Sequence, residues 1–540
     1  MTDMINSGVS ALQAYSQALN TVSNNIANAN TVGYSRQQAT LQTNAVGGVQ
    51  VSNIRRFSDA QVVSRSLSDQ SSYSRLDTFS SMATRVDSLL SGTSSGLSAP
   101  MQKFFTAMSG VAADPQSTSA RQTLLSTAGN LTSQFSALQG QLDGMSSEIN
   151  SQLTQSVNQI NQAVQSIAQL NNSIALAQGS GQSANDLLDQ RDQLIAQVSQ
   201  NIGITTVPQT DGSMNVFTAG GQALVLGGTS QQLKLVSNTY GNGDQEIAIG
   251  NPAVNINSQV SGGTIGGLLD LRSQLIVPTE NKLGAIAAGL TQAFNAQHVQ
   301  GVDQNGQIGG NFFASLNGSA AAANTNTGNA TVSVGLTDVG QIGNNNYVLR
   351  YDGSNWNLSD ASTGAAVTMT GAGTASNPFV AAGMSFQLGG TASSGDSFLV
   401  QPLTRAAGQM QVAIADPAKI AAAASSALGS TKSGNNSNAN LLSSIGTNGV
   451  LSGGSVSVTA ANIALVSQTG NLSQQISARR DAAQAIQDQT KSDLDSVSGV
   501  NLDEEAADLL RYQQAYQAAA QVISMARDMF QTLLSATRGG

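Results

Sequence analysis

The C-terminal end of the sequence carries its most regular hydrophobic pattern. One large apolar side chain recurs every seven positions, and a second row follows three residues after the first. These two rows are the a and d positions of a coiled-coil helix, which buries a narrow seam against another helix. The rows consist of Leu502, Leu509, Tyr516, Ile523 and Phe530, and of Tyr512, Ala519, Ala526 and Leu533.

The start of this C-terminal helix is also marked in the sequence. Asn501 occupies the N-cap position, and the acidic residues 503–505 fall in the first turn, where the helix dipole favours carboxylates. We therefore assign Asp503, Glu504 and Glu505 to helix capping. A helix over 502–534 would be about 50 Å long, and its seam needs a partner from elsewhere.

The N-terminus has a stripe of its own, which predicts a helix over 4–29 of about 39 Å. The stripe consists of Ile5, Gly8, Leu12, Tyr15, Leu19, Val22, Ile26 and Ala29. Its other face is Ser, Asn and Gln, so the helix is only weakly amphipathic and needs tertiary contact. Two terminal helices that each carry a seam without a local partner are expected to pack on each other.

Between the termini the pattern alternates between helical and strand-like stretches. A long helical stripe covers 124–177, and further helical spacing covers 265–298, with a break expected at Pro278, and 459–497. Short apolar runs between turn signals predict hairpins over 203–262 and a second β region over about 329–403. The order is therefore helix, β, helix, β, helix.

This order predicts an α+β fold: an elongated multidomain chain with paired terminal coiled-coil helices, a long-helix body and inserted β-rich domains. We assign 1–40 and 500–540 to the terminal domain. The helical body takes 41–202, 263–300 and 404–499. Residues 203–262 form the β-rich hairpin region, and 301–403 form a second inserted domain with flexible, Ala/Asn/Gly-rich flanks at 318–329 and 423–440.

Composition excludes several classes of function. Only 10% of the residues are charged and the net charge is −9, which argues against nucleic acid or an anionic membrane as partner. There is no cysteine, so disulfide and thiol chemistry are excluded. We find no apolar run long enough to cross a bilayer and no Sec-type signal, and we expect no membrane insertion.

Candidate catalytic and metal-binding residues are scarce. His298 is the only histidine and lies at the end of a helical stripe, where a structural role is expected. Asp303 opens a stretch similar to a calcium loop, but Ala314 stands where the bidentate Glu belongs. Arg55 and Arg56 are a pair rather than a patch and are expected on a solvated face or in a subunit contact. The sequence thus predicts no catalytic residues, no metal, no cofactor and no enzymatic activity.

Two stretches together resemble the bacterial flagellar axial protein family: NNIANANTVGYSRQ at 24–37 and SGVNLDEEAADLLRYQQAYQAAAQVISMARDMFQTLL at 498–534. A further run, LLDQRDQLI at 187–195, favours the branch at the junction of hook and filament. Members of the rod and hook branch usually have Asn three residues after the position of Tyr516. Here that residue is Ala519, which also favours the junction branch.

The resemblance implies a secreted structural protein of the flagellum that forms the hook–filament junction by helical self-assembly. Implied partners are further copies in a ring, the hook protein, the next junction protein and an export chaperone on the C-terminal helix. Export would follow the flagellar type III route without a cleaved signal peptide. The alternatives are a flagellin or hook-type axial protein, and a secreted adhesin or translocator of a needle-type secretion system.

The resemblance also implies that the terminal stripes form the assembly interface. The hypothesis is that both ends become fully ordered only when neighbouring subunits bury their seams. The alternative for the same stripes is an ordinary coiled coil within one chain. The proposed interface residues are Ile5, Leu12, Tyr15, Leu19, Val22, Ile26, Leu502, Leu509, Tyr512, Tyr516, Ile523, Phe530 and Leu533.

Overall fold

The structure is a computed structural model that describes residues 2–44, 47–431 and 434–538. Its helices are α1 Thr2–Ala27, α2 Ala60–Ser91, α3 Ser98–Ala113, α4 Thr118–Gly179, α5 Asn185–Asn201, α6 Gly263–Leu271, α7 Val277–His298, α8 Ala406–Gln409, α9 Ser437–Ser444, α10 Val458–Ser498 and α11 Leu502–Arg538. Long helices stand at both ends and β-rich regions lie between them, which confirms the α+β prediction.

The strands fall in three parts of the chain. They are β1 Gln37–Thr43, β2 Val49–Arg56, β3 Ile204–Pro208, β4 Met214–Thr218, β5 Ala223–Leu226, β6 Thr229–Ser230, β7 Leu233–Ser237, β8 Gln245–Ile249, β9 Val254–Asn255, β10 Gly301–Val302, β11 Asn317–Ala322, β12 Thr331–Leu336, β13 Tyr347–Tyr351, β14 Trp356–Asp360, β15 Ala366–Val367, β16 Phe379–Ala381, β17 Met384–Gly389, β18 Ser397–Gln401 and β19 Ala423–Ala424.

Helix α4 is the backbone of the helical body. It has 62 residues and is therefore about 93 Å long. It starts six residues before the predicted helix because Ser117 caps it, with the side chain accepting a hydrogen bond from the Ala120 backbone N–H. The predicted stripe from Leu131 to Ile174 is buried except at Leu170, which is half-buried. The other long pair of the body is α10 packed along α2.

The break that was expected at Pro278 does not occur. Helix α6 continues through a π-helical turn, Arg272–Ile276, directly into α7. Pro278 follows this widened turn directly, in which the Val277 N–H donates to the Arg272 carbonyl five residues back. The prediction was wrong because the preceding turn is widened to accommodate the proline.

The first β region packs on α4 through small antiparallel sheets, with strand orders β3-β4-β5-β6 and β7-β8-β9. The predicted hairpin at Asp211-Gly212 is confirmed, with Pro208 paired to Met214. Asn171 of α4 is 1% exposed and binds this sheet at both polar ends of its amide. It donates to the Met214 and Gly227 carbonyls (2.8 and 2.7 Å) and accepts from the Met214 N–H (3.0 Å).

The second β region is one eight-stranded sheet in the order β15-β14-β13-β18-β11-β12-β17-β16. Thr370, three residues after β15, exchanges two backbone hydrogen bonds with Val380 of β16 (3.0 and 2.7 Å), so the segment after β15 bridges to the strand at the other end of the order. The flank at 318–329 contributes strand β11, and residues 432 and 433 of the flank at 423–440 lie outside the described residues. Trp356 packs between Tyr351 and Phe398.

The hydrophobic core of the body extends from α2 to α10 and includes both β regions. A second, smaller cluster belongs to the terminal segments and shares no residue with the first. It consists of Ala18, Val22, Ala39 and Tyr512, with Tyr15, Leu19, Leu41, Val51 and Leu509 packed around them. The chain ends therefore form a unit with its own core.

Candidate functional site: the terminal helix pair

Helices α1 and α11 form an antiparallel pair, and the β1–β2 hairpin packs on α1. Asn25 lies beside Glu505, the Tyr15 and Tyr512 ring centroids are 6.4 Å apart, and Gly8 faces Ile523. The predicted packing of one terminal helix on the other is thereby confirmed. We refer to α1, α11, β1 and β2 together as the terminal unit.

The seam between the two helices is built mainly from small side chains. On α11 the buried row is Tyr512, Ala519 and Ala526, of which Ala526 is fully buried. On α1 the buried positions include Gly8, Ala14 and Ala18. A Cβ placed on Gly8 would lie 2.6 Å from Ile523 Cγ1, so the close approach requires glycine there.

A cluster of polar side chains closes the end of the pair that faces the body. Glu505 is 1% exposed and accepts from Arg36 Nε (2.7 Å) and from Asn25 Nδ2 (2.9 Å). Arg36 also donates to Glu504 at 2.7 Å, and Tyr34 donates from its hydroxyl to Asn25 Oδ1 at 2.8 Å. Burial, together with nearby carboxylates, raises the pKa of Tyr34 to about 12.

The assignment of all three acidic residues to helix capping was wrong for Glu505. Asn501 is the N-cap, since its Oδ1 accepts from the Asp503 N–H at 3.0 Å. Asp503 and Glu504 are exposed in the first turn as expected. Glu505 instead points into the helix pair, where a distant arginine neutralises it. No local pattern in the sequence identifies that partner.

The terminal unit meets the body through polar contacts with α5. Arg56 forms ion pairs with Asp189 (2.7 Å) and Asp192 (2.8 Å), and the Ser35 N–H donates to Asp189 at 3.2 Å. Asn185 adds a hydrogen bond to the Ile54 carbonyl at 2.9 Å. Arg56 was expected on a solvated face or in a subunit contact, and this was wrong because α5 supplies its carboxylates within the chain.

The proposed interface residues fall into three groups by exposure. Val22 and Tyr512 are buried within the chain. Half-buried are Ile5, Leu12, Tyr15, Leu19, Leu509 and Ile523. Exposed are Ile26, Leu502, Tyr516, Phe530 and Leu533. The alternative of a coiled coil within one chain thus describes Tyr512, Ala519 and Ala526, while Leu533 of the same row and most of the Leu502 row remain accessible.

Further exposed apolar side chains on these helices were missed from the sequence because they lie outside the heptad rows. They are Met4, Val9, Leu510, Met525, Met529 and Leu534. Several of them cluster near the end of α11, which continues past the start of α1. Since Gly8 faces Ile523, the last turns of α11 extend beyond the described part of α1 and expose Phe530, Leu533 and Leu534.

The buried ionisable groups of the body are structural. His298 is fully buried at the end of α7, accepts at Nε2 from the Ala421 N–H (2.9 Å) and contacts the Gly310 carbonyl through Nδ1 (2.7 Å). Burial lowers its pKa. Arg121 donates to the Pro115, Pro417 and Ile420 carbonyls, and burial lowers its pKa to about 10.

A buried carboxyl was also missed from the sequence. Glu280 in the first turn of α7 is 6% exposed, and burial, followed by the nearby carboxylates Asp143 and Asp244, raises its pKa to about 8. Across residues 2–44, 47–431 and 434–538, no group of three or more acidic or histidine side chains could hold a metal ion. Within the same ranges, none of the helices combines the length and apolar character that a bilayer crossing requires.

Family models match both ends and the middle of the chain. The model described as "Flagellar hook-associated protein FlgK helical domain" matches residues 83–313, and "Flagellar hook-associated protein 1, D2-like domain" matches 321–402. The termini match models of rod proteins: "Flagella basal body rod protein" at 5–34 and "Flagellar basal body rod FlgEFG protein C-terminal" at 495–536.

Full-length relatives agree with these matches. The chain is 34% identical to "Flagellar hook-associated protein 1" of Salmonella typhimurium over 99% of this chain and 100% of that protein. It is 33% identical to the protein of that name from Escherichia coli, with the same coverage. The solved flagellar hook junction protein FlgK of Burkholderia pseudomallei superposes with a TM-score of 0.74 at 27% identity, covering 81% of this chain and all of that one.

Proposed function

Because the chain belongs to the flagellar hook-associated protein 1 family, a structural and non-enzymatic component of the bacterial flagellum at the hook–filament junction, we propose that its terminal unit is the element through which copies assemble. The full-length relationship favours this family over a flagellin, a hook-type protein or an adhesin.

The observation that carries the proposal is the apolar surface that the terminal unit leaves uncovered. Phe530 and Leu533 are 50% and 51% exposed, and Met525 and Leu502 are 56% and 53% exposed. Exposed apolar surface concentrated on one helix marks an interaction site. The seam with α1 is already covered, so this surface needs neighbouring chains.

The proposed order of events has two stages. The helix pair first forms within one chain through the Tyr512 row. Neighbouring copies arranged around a common axis then cover the exposed apolar side chains and hold the terminal unit in place. The small separate core of this unit supports the idea that it opens more readily than the body before assembly.

The partners follow from the same surface and from the family. We propose that copies form a ring, with the hook protein on one side and the next junction protein on the other. The exposed methionines and leucines at the end of α11 also fit an export chaperone, which would cover them before assembly. Export by the flagellar type III route without a cleaved signal peptide remains part of this proposal.

Replacing both Phe530 and Leu533 with Gln tests the assembly role. Both side chains are about half exposed, so we expect the monomer to keep its helical content while a strain carrying only this variant loses swimming. Leu176→Gln on α4 is the matched control, because Leu176 is 76% exposed on the body, and it should swim normally. Normal swimming of the double variant, at wild-type protein levels, would contradict the proposal.

A further inference from the structure

Helix α5 carries a stripe of polar side chains that faces the terminal unit. Its members are Asn185, Asp189 and Gln193, which are four positions apart and therefore share one face of the helix. Asn185 and Asp189 are only 9% and 6% exposed, although both are polar. The stripe is about 12 Å long, and it overlaps the run LLDQRDQLI at 187–195. That run therefore lies where the body meets the terminal unit.

Asp189, in the middle of the stripe, binds two separate parts of the terminal unit. Its Oδ1 pairs with Arg56 of β2 at 2.7 Å. Its Oδ2 accepts from the Ser35 N–H, in the segment between α1 and β1, at 3.2 Å. Asp192 adds a second ion pair to Arg56 at 2.8 Å. One carboxylate of α5 thus connects the hairpin and the segment that follows α1.

The two ends of the stripe bind the same parts of the terminal unit. Asn185 donates to the Ile54 carbonyl of β2 at 2.9 Å, and Gln193 donates to the Val32 carbonyl at 2.5 Å. From residue 185 to residue 193 of α5, the partners near β1 run backwards, from residue 37 to 35 to 32. This segment therefore follows α5 in the opposite direction along the whole stripe.

The covalent connections between the terminal unit and the body lie close together. They are residues 57–59, between β2 and α2, and 499–501, between α10 and α11, and both lie outside helices and strands. Arg36 joins them, because its N–H donates to the Ser498 carbonyl at 2.8 Å and its carbonyl accepts from the Phe57 N–H at 2.9 Å. Hydrogen bonds concentrated at one place form a pivot, whereas contacts spread over about 12 Å of α5 define an angle.

We propose that the polar stripe of α5 is a clasp that holds the terminal unit at one angle to the body, with Asp189 as its central positioning residue. Polar contacts suit this role, because any other angle that kept the surfaces together would leave buried donors and acceptors unpaired. They contribute more to specificity than to stability, since water binds the same groups when the clasp is open. The inference concerns the single chain and goes beyond the assembly role, on which it does not depend.

Replacing Asn185 and Asp189 together with alanine removes the buried part of the clasp. Helix α5 should stay intact in this clasp variant, because alanine favours the helix. Asp186→Ala combined with Gln190→Ala is the matched control. It also removes one acid and one amide four positions apart on α5, but both of its side chains are exposed. Asp186 accepts from Gln37 at 3.4 Å, a long hydrogen bond that contributes little.

Spin labels on the monomer measure the angle between the terminal unit and the body. The chain contains no cysteine, so Gln13→Cys on α1 and Gln165→Cys on α4, both at exposed positions, give one labelling site in each part. We expect one narrow distance by pulsed electron paramagnetic resonance in the wild-type background and in the control. In the clasp variant we expect a broad distribution of distances, while the urea midpoint of the helical body stays at the wild-type value.

A narrow, wild-type distance in the clasp variant overturns the proposal, because the pivot would then be sufficient to set the angle. A wild-type distribution as broad as that of the clasp variant also overturns it, and so does equal broadening in the control.

If the clasp variant loses helical content or its urea midpoint falls, Arg56→Gln decides, because Arg56 belongs to the terminal unit and not to the body. A broad distribution in R56Q supports the clasp, and a narrow wild-type distance overturns it. These distances are measured on the monomer. They are therefore independent of the swimming test of Phe530 and Leu533, whose failure would refute assembly through that surface but not the clasp.

Discussion

Glu280 makes the stability of the helical body depend on pH in a way that one substitution should abolish. Its carboxyl lies at the start of α7, 6% exposed, with Asp143 and Asp244 nearby and Arg405 as the compensating cation. Burial raises the pKa from 4.5 to about 8, so the folded protein keeps a proton that the unfolded chain releases. Stability is therefore greatest below the unfolded pKa and falls as pH rises towards about 8.

The size of this effect follows from the pKa values. Each pKa unit corresponds to about 1.4 kcal/mol, so the rise to about 8 amounts to roughly 5 kcal/mol lost between about pH 4.5 and pH 8. Glu280→Gln keeps the shape of the side chain but carries no titrating group. We expect the variant and the wild type to differ little near pH 5, and the variant to be the more stable by several kcal/mol at pH 9.

Urea unfolding followed by helical circular dichroism at pH 5, 7 and 9 measures this difference. A chain of this size is not a two-state system, so midpoints of the main helical transition are compared rather than extrapolated free energies. Glu148→Gln is the control, because Glu148 pairs with Arg85 at 2.9 Å with 37% of its side chain exposed. Parallel midpoints for wild type and E280Q across this pH range would refute the argument.

Three further outcomes are expected. Gly8→Val should weaken the helix pair, because the added side chain meets Ile523. Gly144→Ala, in open space on α4, should raise the melting temperature slightly because alanine favours the helix. Thermal melts and the trypsin sensitivity of the termini check both substitutions. His298→Gln should reduce the loss of stability as pH falls below about 6.5, because there the imidazole of the unfolded wild-type chain gains a proton while the buried ring, whose pKa is lowered, stays neutral. Acid titration of the melting temperature measures this difference. Limited proteolysis of the monomer should remove about 40 residues from each end and leave a resistant body, since the terminal cluster is separate; equal resistance of ends and body would contradict this.

Periodicity was sufficient to predict the helices and their terminal pairing, because a seam is a local property of the sequence. It could not show which heptad row faces the partner helix. Both rows were assigned to assembly, yet Tyr512, Ala519 and Ala526 of one row are buried in the pair with α1, and only Leu533 of that row stays exposed. The side that a helix buries depends on the shape of the opposing helix, which a single stripe does not contain.

Charged contacts were the least predictable part of the site. Arg36 and Glu505 are 469 positions apart in the sequence, and Arg56 and Asp189 are also far apart, so neither pair leaves a local signal. The π-helical turn before Pro278 was also not predictable from the sequence, because helix propensities describe proline in a regular helix and not after a widened turn.

The backbone hydrogen bonds between Thr370 and Val380 bear on how the second β region would meet the same region of a neighbouring copy in the proposed assembly. Each of these two residues donates its backbone N–H to the carbonyl of the other, at a place where the edge of the sheet would otherwise have unpaired backbone groups. Sheets with exposed, unpaired edge strands tend to pair with one another when molecules are close together. The bridge between Thr370 and Val380 therefore reduces the backbone edge through which this sheet could pair with the same sheet of another copy.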